Sequence, residues 1–195
     1  MEQQILAGLV ARGVPVPVAQ GIVANMIAES GLKTDINEIA PLVPGSRGGY
    51  GLNQWTGPRR RQFEAFAAER GVDPSDLNTQ LDFTLWEFQN TERNAWNALQ
   101  GVNDPIEAAR IYSEKFLRPG IPNMDKRLGE AARLAGVSFD PSMAPQGNAL
   151  AMQPQQPQQQ NALAPTLADY GFQTTQLDPQ AFMRERNALS FRPVV

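Results

Sequence analysis

Apolar residues recur at helical spacing along most of the first 140 positions. Val18, Ile22, Met26 and Ile27 form a stripe near the 3.6-residue period. Pro17 opens that stripe and Gly31 closes it, so the pattern predicts a helix that stops at Gly31. Residues 2–11 predict a short helix before it, ended by Gly13 and Pro15. Pro58 opens a further helix, with Phe63 and Phe66 facing inward and Gly71 as its stop. One longer helix is predicted over 78–99, with Leu81, Leu85, Phe88 and Trp96 in the core. Asp104-Pro105-Ile106-Glu107 combines an N-cap, a proline in the first turn and a capping-box glutamate, predicting a helix to Leu117, before Pro119. A last helix is predicted over 123–135, stopped by Gly136. Between 32 and 57 the helical period disappears into glycines, prolines and short apolar pieces, which predict loop and a small β-hairpin. The fold class is therefore mainly α with one small hairpin.

The pattern changes after residue 140. Residues 141–168 carry no charged side chain and include Gln153-Pro154-Gln155-Gln156-Pro157-Gln158-Gln159-Gln160. Such a low-complexity stretch cannot bury a core of its own and predicts a linker. Residues 169–195 regain charge and aromatics, with Tyr170, Phe172, Phe182 and Phe191. The expected division is a domain over 1–140, an uncharged Gln/Pro-rich linker over 141–168, and a C-terminal docking segment over 169–195. Asp178-Pro179 supplies a helix start in that last segment.

Composition narrows the chemistry. There are no cysteines and no histidines among the 195 residues. Disulfides, Cys-based zinc sites and His-dependent nucleophiles are excluded, and no metal or cofactor is expected. Proton chemistry, if any, falls to Asp, Glu, Lys or Tyr. The net charge of −3 is no footprint for nucleic acid. Met1-Glu2-Gln3-Gln4 is not a basic leader and no long apolar run follows, so neither a signal peptide nor a transmembrane segment is expected.

Against that background Glu29 stands out. It closes an otherwise apolar helix in Ala28-Glu29-Ser30-Gly31, beside the Met26 stripe. Apolar surroundings and a helix C-terminus both disfavour a negative charge, which predicts an acid held protonated for general-acid work. Gly48-Gly49-Tyr50-Gly51-Leu52-Asn53-Gln54-Trp55 follows about twenty residues later. Its glycines allow close backbone approach to a ligand. Gln54 can donate to and accept from a polyhydroxylated sugar, and Tyr50 and Trp55 offer flat apolar faces. Asp35 and Glu38 are candidates, by position alone, for a second carboxylate. Arg59-Arg60-Arg61 reads either as a solvated helix start balanced by Glu64 and Glu69 or as a contact for peptide carboxylates.

Ala28-Glu29-Ser30-Gly31-Leu32, Gly49-Tyr50-Gly51-Leu52-Asn53-Gln54-Trp55-Thr56-Gly57-Pro58-Arg59 and Phe116-Leu117-Arg118-Pro119-Gly120-Ile121-Pro122 together resemble the phage tail lysozyme family. The first two pieces are also similar to the signature of soluble lytic transglycosylases and goose-type lysozymes. The resemblance covers most of 1–136 and implies a lysozyme-like fold, with Glu29 as the catalytic acid. Ser30 would orient it or the substrate, and Tyr50, Gly51, Leu52, Gln54 and Trp55 would line a glycan cleft. Asn53 stands where a small residue or Met is usual, and Leu117 where an acid is expected. The implied function is cleavage of the bond between N-acetylmuramic acid and N-acetylglucosamine in bacterial peptidoglycan, by hydrolysis or by lytic transglycosylation. The implied setting is a bacteriophage virion, in its tail or ejection machinery, opening the host wall for genome entry. Other virion proteins would then be partners of the C-terminal segment. A structural virion protein with a non-catalytic lysozyme-like domain is the alternative.

Overall fold

The computed structural model describes residues 1–140 apart from Leu42 and Pro44. The linker and docking segment expected over 141–195 lie outside the described residues. Within them the order is α1 (Glu2–Ala11), α2 (Val16–Ser30), α3 (Gly57–Glu69), α4 (Leu77–Gln89), α5 (Arg93–Leu99), α6 (Pro105–Ile111), a π-helical segment (Tyr112–Leu117) and α7 (Met124–Ala135).

Helix α2 is the axis of the fold. Every residue from Val18 to Met26 is buried, as expected for a helix whose apolar positions run around most of its circumference. It packs against α1, α6 and α7. The α2–α6 approach is closer than side chains would permit. A Cβ at Gly21 would lie 2.6 Å from the Ala109 nitrogen and 2.7 Å from the Ala108 Cβ. Ile5, Leu9, Leu81, Phe88, Tyr112 and Phe116 complete the main core around α2. A second aromatic cluster of Trp55, Phe63, Phe66 and Phe83 joins α3 and α4 to the glycine-rich turn.

Four expectations of the fold are corrected. Among the described residues there is no strand: the hairpin reduces to two isolated antiparallel bridges, Asn37–Tyr50 and Tyr50–Trp55. Gly48, Gly51 and Gln54 all take positive φ, which breaks the extended backbone before a ladder can grow. The helix expected over 78–99 is two helices. Asn90 leaves helical geometry at φ −121° and donates from its side chain to the Trp86 carbonyl at 2.7 Å, an alternative to the helical ladder. The helix expected to run to Leu117 changes pitch at Tyr112. There the Arg118 amide reaches back five residues to the Ser113 carbonyl at 2.8 Å. The Asp104 cap does form, accepting the Ile106 amide at 3.0 Å, but Glu107 is bound to Arg110 and does not close the box.

Candidate active site

Glu29 occupies the last turn of α2, and Gly31 ends the helix in the left-handed conformation, its amide on the Ile27 carbonyl at 3.1 Å. The Glu29 side chain is 16% exposed. Its surroundings are not the purely apolar ones expected from the sequence. Arg127, brought in by α7 and itself 3% exposed, donates from one Nη to Glu29 Oε1 at 2.8 Å. Its other Nη donates to Asn25 Oδ1 at 2.9 Å, and its Nε to the Pro122 carbonyl at 2.6 Å. Asn25 in turn donates to the carbonyls of Gly21 and Ala109, each at 2.9 Å. The Glu29 carboxyl therefore lies at a helix C-terminus and faces a buried guanidinium. Ser30 is buried and returns its hydroxyl to the Met26 carbonyl at 3.0 Å, so it orients the helix end and not the carboxyl beside it.

The glycine-rich turn is pinned from several sides. Tyr50 and Trp55 exchange backbone hydrogen bonds at 3.1 and 3.0 Å, and the Gly51 amide donates to the Ile36 carbonyl at 2.9 Å. Leu52 is fully buried in the main core, and its amide donates to Gln80 Oε1 at 2.8 Å. Trp55 is 1% exposed. Phe63 stacks on it at 4.6 Å, Phe83 meets it edge-on at 5.4 Å, and its Nε1 donates to Glu87 Oε2 at 2.8 Å. Its expected sugar-facing surface is therefore occupied by the core. Tyr50 and Gln54 keep part of their surface exposed. Gln54 folds its amide onto the Gly51 carbonyl at 2.8 Å. The Tyr50 ring lies under the Arg60 guanidinium, and burial foremost, with Asp73 and Asp35 behind it, raises its phenol above the ordinary range.

The loop carboxylates divide. Glu38 accepts the Gly49 amide at 2.9 Å and braces the turn. Asp35 is exposed. Two members of the arginine run turn inward. Arg59 forks onto Glu87 at 2.7 and 2.9 Å and lies over the Phe116 ring, while Arg60 donates to the carbonyls of Arg47 and Gly48. Arg61 is exposed. Among the described residues no cluster of three or more acidic side chains is arranged to hold a metal ion.

Sequence reasoning missed the groups that hold this site together: Asn25, Asn53, Gln80, Glu87, Tyr112 and Arg127. Tyr112 donates to Asn53 Oδ1 at 2.9 Å, and Asn53 donates to Thr84 Oγ1 at 2.9 Å. Burial raises the Tyr112 phenol well above its ordinary range, Arg59 works against that, and Glu87 and Glu29 add to it. Asn25 did leave a signal, a polar side chain inside an apolar helical run. Arg127 left almost none, being 98 residues from its partner.

An acid at the exposed end of a buried helix, in a small helical domain with a braced glycine-rich turn, defines a lysozyme-like protein. The chain matches the model for phage tail lysozymes over residues 1–137 and belongs to that family. Lysozyme activity is what the description of that family names. Among curated proteins, an L-cysteine:1D-myo-inositol 2-amino-2-deoxy-alpha-D-glucopyranoside ligase of Clavibacter michiganensis subsp. michiganensis (strain NCPPB 382) is 30% identical over 149 residues. The similarity covers 69% of this chain and 34% of the ligase, so the chain spans about a third of that relative's length. Among the described residues no helix is long and apolar enough to cross a membrane.

Proposed function

We propose that this protein is a virion-associated enzyme of a bacteriophage that cuts the glycan strands of host peptidoglycan, with Glu29 as its general acid. The observation that carries the reading is the Glu29 carboxyl itself. Arg127 engages Oε1, and no described residue donates to Oε2, on a side chain that is still partly exposed. In the reaction, Oε2 gives its proton to the oxygen linking N-acetylmuramic acid to N-acetylglucosamine. The C1–O bond breaks and an oxocarbenium-like centre develops at C1. Attack by water at C1, with one of its protons passing to a carboxylate, completes a hydrolysis. Attack by the sugar's own 6-hydroxyl, whose proton returns to the ionised Glu29, completes a transglycosylation and leaves a 1,6-anhydro end. The two routes share the Glu29 step and differ in the product, which mass spectrometry of the released fragments distinguishes.

Zymography on purified peptidoglycan tests the assignment. Wild type clears the gel, and Glu29→Gln, which keeps size and polarity but has no acidic proton, loses clearing by about 100-fold or more. Equal clearing by the variant sinks the catalytic reading and leaves a structural virion protein. Antibody labelling of intact particles tests the location. Label on the tail or on released internal proteins supports it, and label confined to free lysate protein opposes it.

A further inference from the structure

We infer that Arg127 is the positioning residue of the site, fixing Glu29 so that Oε1 is held by the protein and Oε2 alone meets the substrate. The inference rests on the assignment of Glu29 as the acid and adds how that acid is held.

The guanidinium is locked before Glu29 is considered. Its Nε is on the Pro122 carbonyl, in the segment leading into α7, and one Nη is on Asn25 of α2. Asn25 is itself held through two carbonyls, one in its own helix and one in α6. Planar and nearly fully buried, the group has one orientation, and the remaining Nη then selects one oxygen of Glu29. An arginine nitrogen only donates, so the oxygen facing it must accept. In the acid form the carbonyl oxygen, a better acceptor than the hydroxyl oxygen, faces Arg127, and the proton is favoured on Oε2. When Oε2 releases that proton, negative charge grows on a carboxyl whose counter-charge is already in place, with no rearrangement at the moment of transfer.

An arginine so placed could instead serve only to join α2 to α7, and the two roles differ kinetically. A positioning role lowers kcat with little change in KM, because substrate still binds when the acid is misaimed. A joining role lowers activity only in proportion to the unfolded fraction. The test measures kcat, KM and folded fraction by circular dichroism for wild type, Arg127→Met, Arg127→Lys, Asn25→Ala and Glu29→Gln, all on solubilised glycan strands. Arg127→Met, measured where it is folded, is expected to lose about 100-fold in kcat with KM within about threefold. Arg127→Lys, which keeps the charge without the fork, recovers part of the loss. Asn25→Ala removes one of the acceptors that fix the plane and keeps the arginine. It is expected to lower kcat about 10-fold, and it decides the question if Arg127→Met does not fold. Wild-type kcat in folded Arg127→Met, or in Asn25→Ala when Arg127→Met is unfolded, overturns the inference. A loss that tracks only the unfolded fraction overturns it as well. If these variants keep wild-type kcat while Glu29→Gln is dead, the inference fails and the acid assignment stands. If Glu29→Gln is fully active, both fall.

Discussion

At Gly51 two separate constraints meet in one residue. Its φ is +69°, and a Cβ there would lie 2.7 to 2.9 Å from the Gln80 amide. That amide has no freedom to yield, because it accepts from Leu52 and donates to the carbonyls of Thr34 at 2.6 Å and Pro74 at 2.8 Å. Gly71 offers a comparison within the same molecule: its φ is +65°, and a Cβ there would meet nothing within 4 Å. Gly71→Ala is expected to cost about 1 kcal/mol, the left-handed penalty alone. Gly51→Ala is expected to cost about 3 kcal/mol or more, since it adds the loss of Gln80's hydrogen bonds. Urea unfolding of the two variants compares them, and equal midpoints would show that Gln80 yields without loss.

The segment before the turn is tied to α3 by charge. Glu64 accepts both forks of Arg47, at 2.6 and 2.8 Å, and also the Nε of Arg60 at 3.0 Å. Burial pushes the Glu64 carboxyl upward, but the hydrogen bonds and charges of the two arginines outweigh it and hold the carboxyl below the usual range. A depressed carboxylate contributes its stability above the unfolded-state value, near 4.3, and loses it as pH falls through the folded value. Glu64→Gln is therefore expected to be less stable than wild type at pH 7 by about 0.5 kcal/mol, a figure already reduced for partial exposure. The gap closes as pH is lowered below about 4. Thermal midpoints across pH 3–7 check this, and a gap that stays constant to pH 3 refutes the linkage.

The same scale shows what the sequence could convey. Helices α1, α2, α3 and α7 were legible because proline and glycine punctuate them and their apolar residues keep one period. The break at Asn90 and the widened turn from Tyr112 were not legible, because no proline or glycine lies within Thr79–Trp96 or Ile106–Leu117. Glu29 and the glycine-rich turn were visible as motifs. Their supports were not, because Gln80, Glu87 and Arg127 act across gaps of 28, 32 and 98 residues. Trp55 illustrates the limit: its type suited either a sugar platform or a core, and the partners that decide the matter, Phe83 and Glu87, lie on α4, about thirty residues further on.

For the whole molecule, the family match ends at residue 137, close to the expected domain boundary at 140. A fragment of residues 1–140 is expected to unfold cooperatively, with a thermal midpoint within a few degrees of the full chain, about the shift that 1 kcal/mol produces at this size. It is also expected to retain clearing activity on peptidoglycan. Calorimetry and zymography of the fragment check both, and a fragment that fails to fold would assign residues 141–195 to the domain.

The ion pair of Glu29 with Arg127 also has a consequence in time. Ribosomes build a chain from its N-terminus, so Glu29 emerges 98 residues ahead of the arginine that pairs with it. At roughly 5–20 residues per second that interval is about 5–20 seconds. During it the nascent chain carries Glu29 and Asn25 without the guanidinium that bonds both. If Arg127 aims Glu29 as inferred above, a chain that stalls before α7 would be released without cutting power, which would belong only to molecules translated to near the end of the domain.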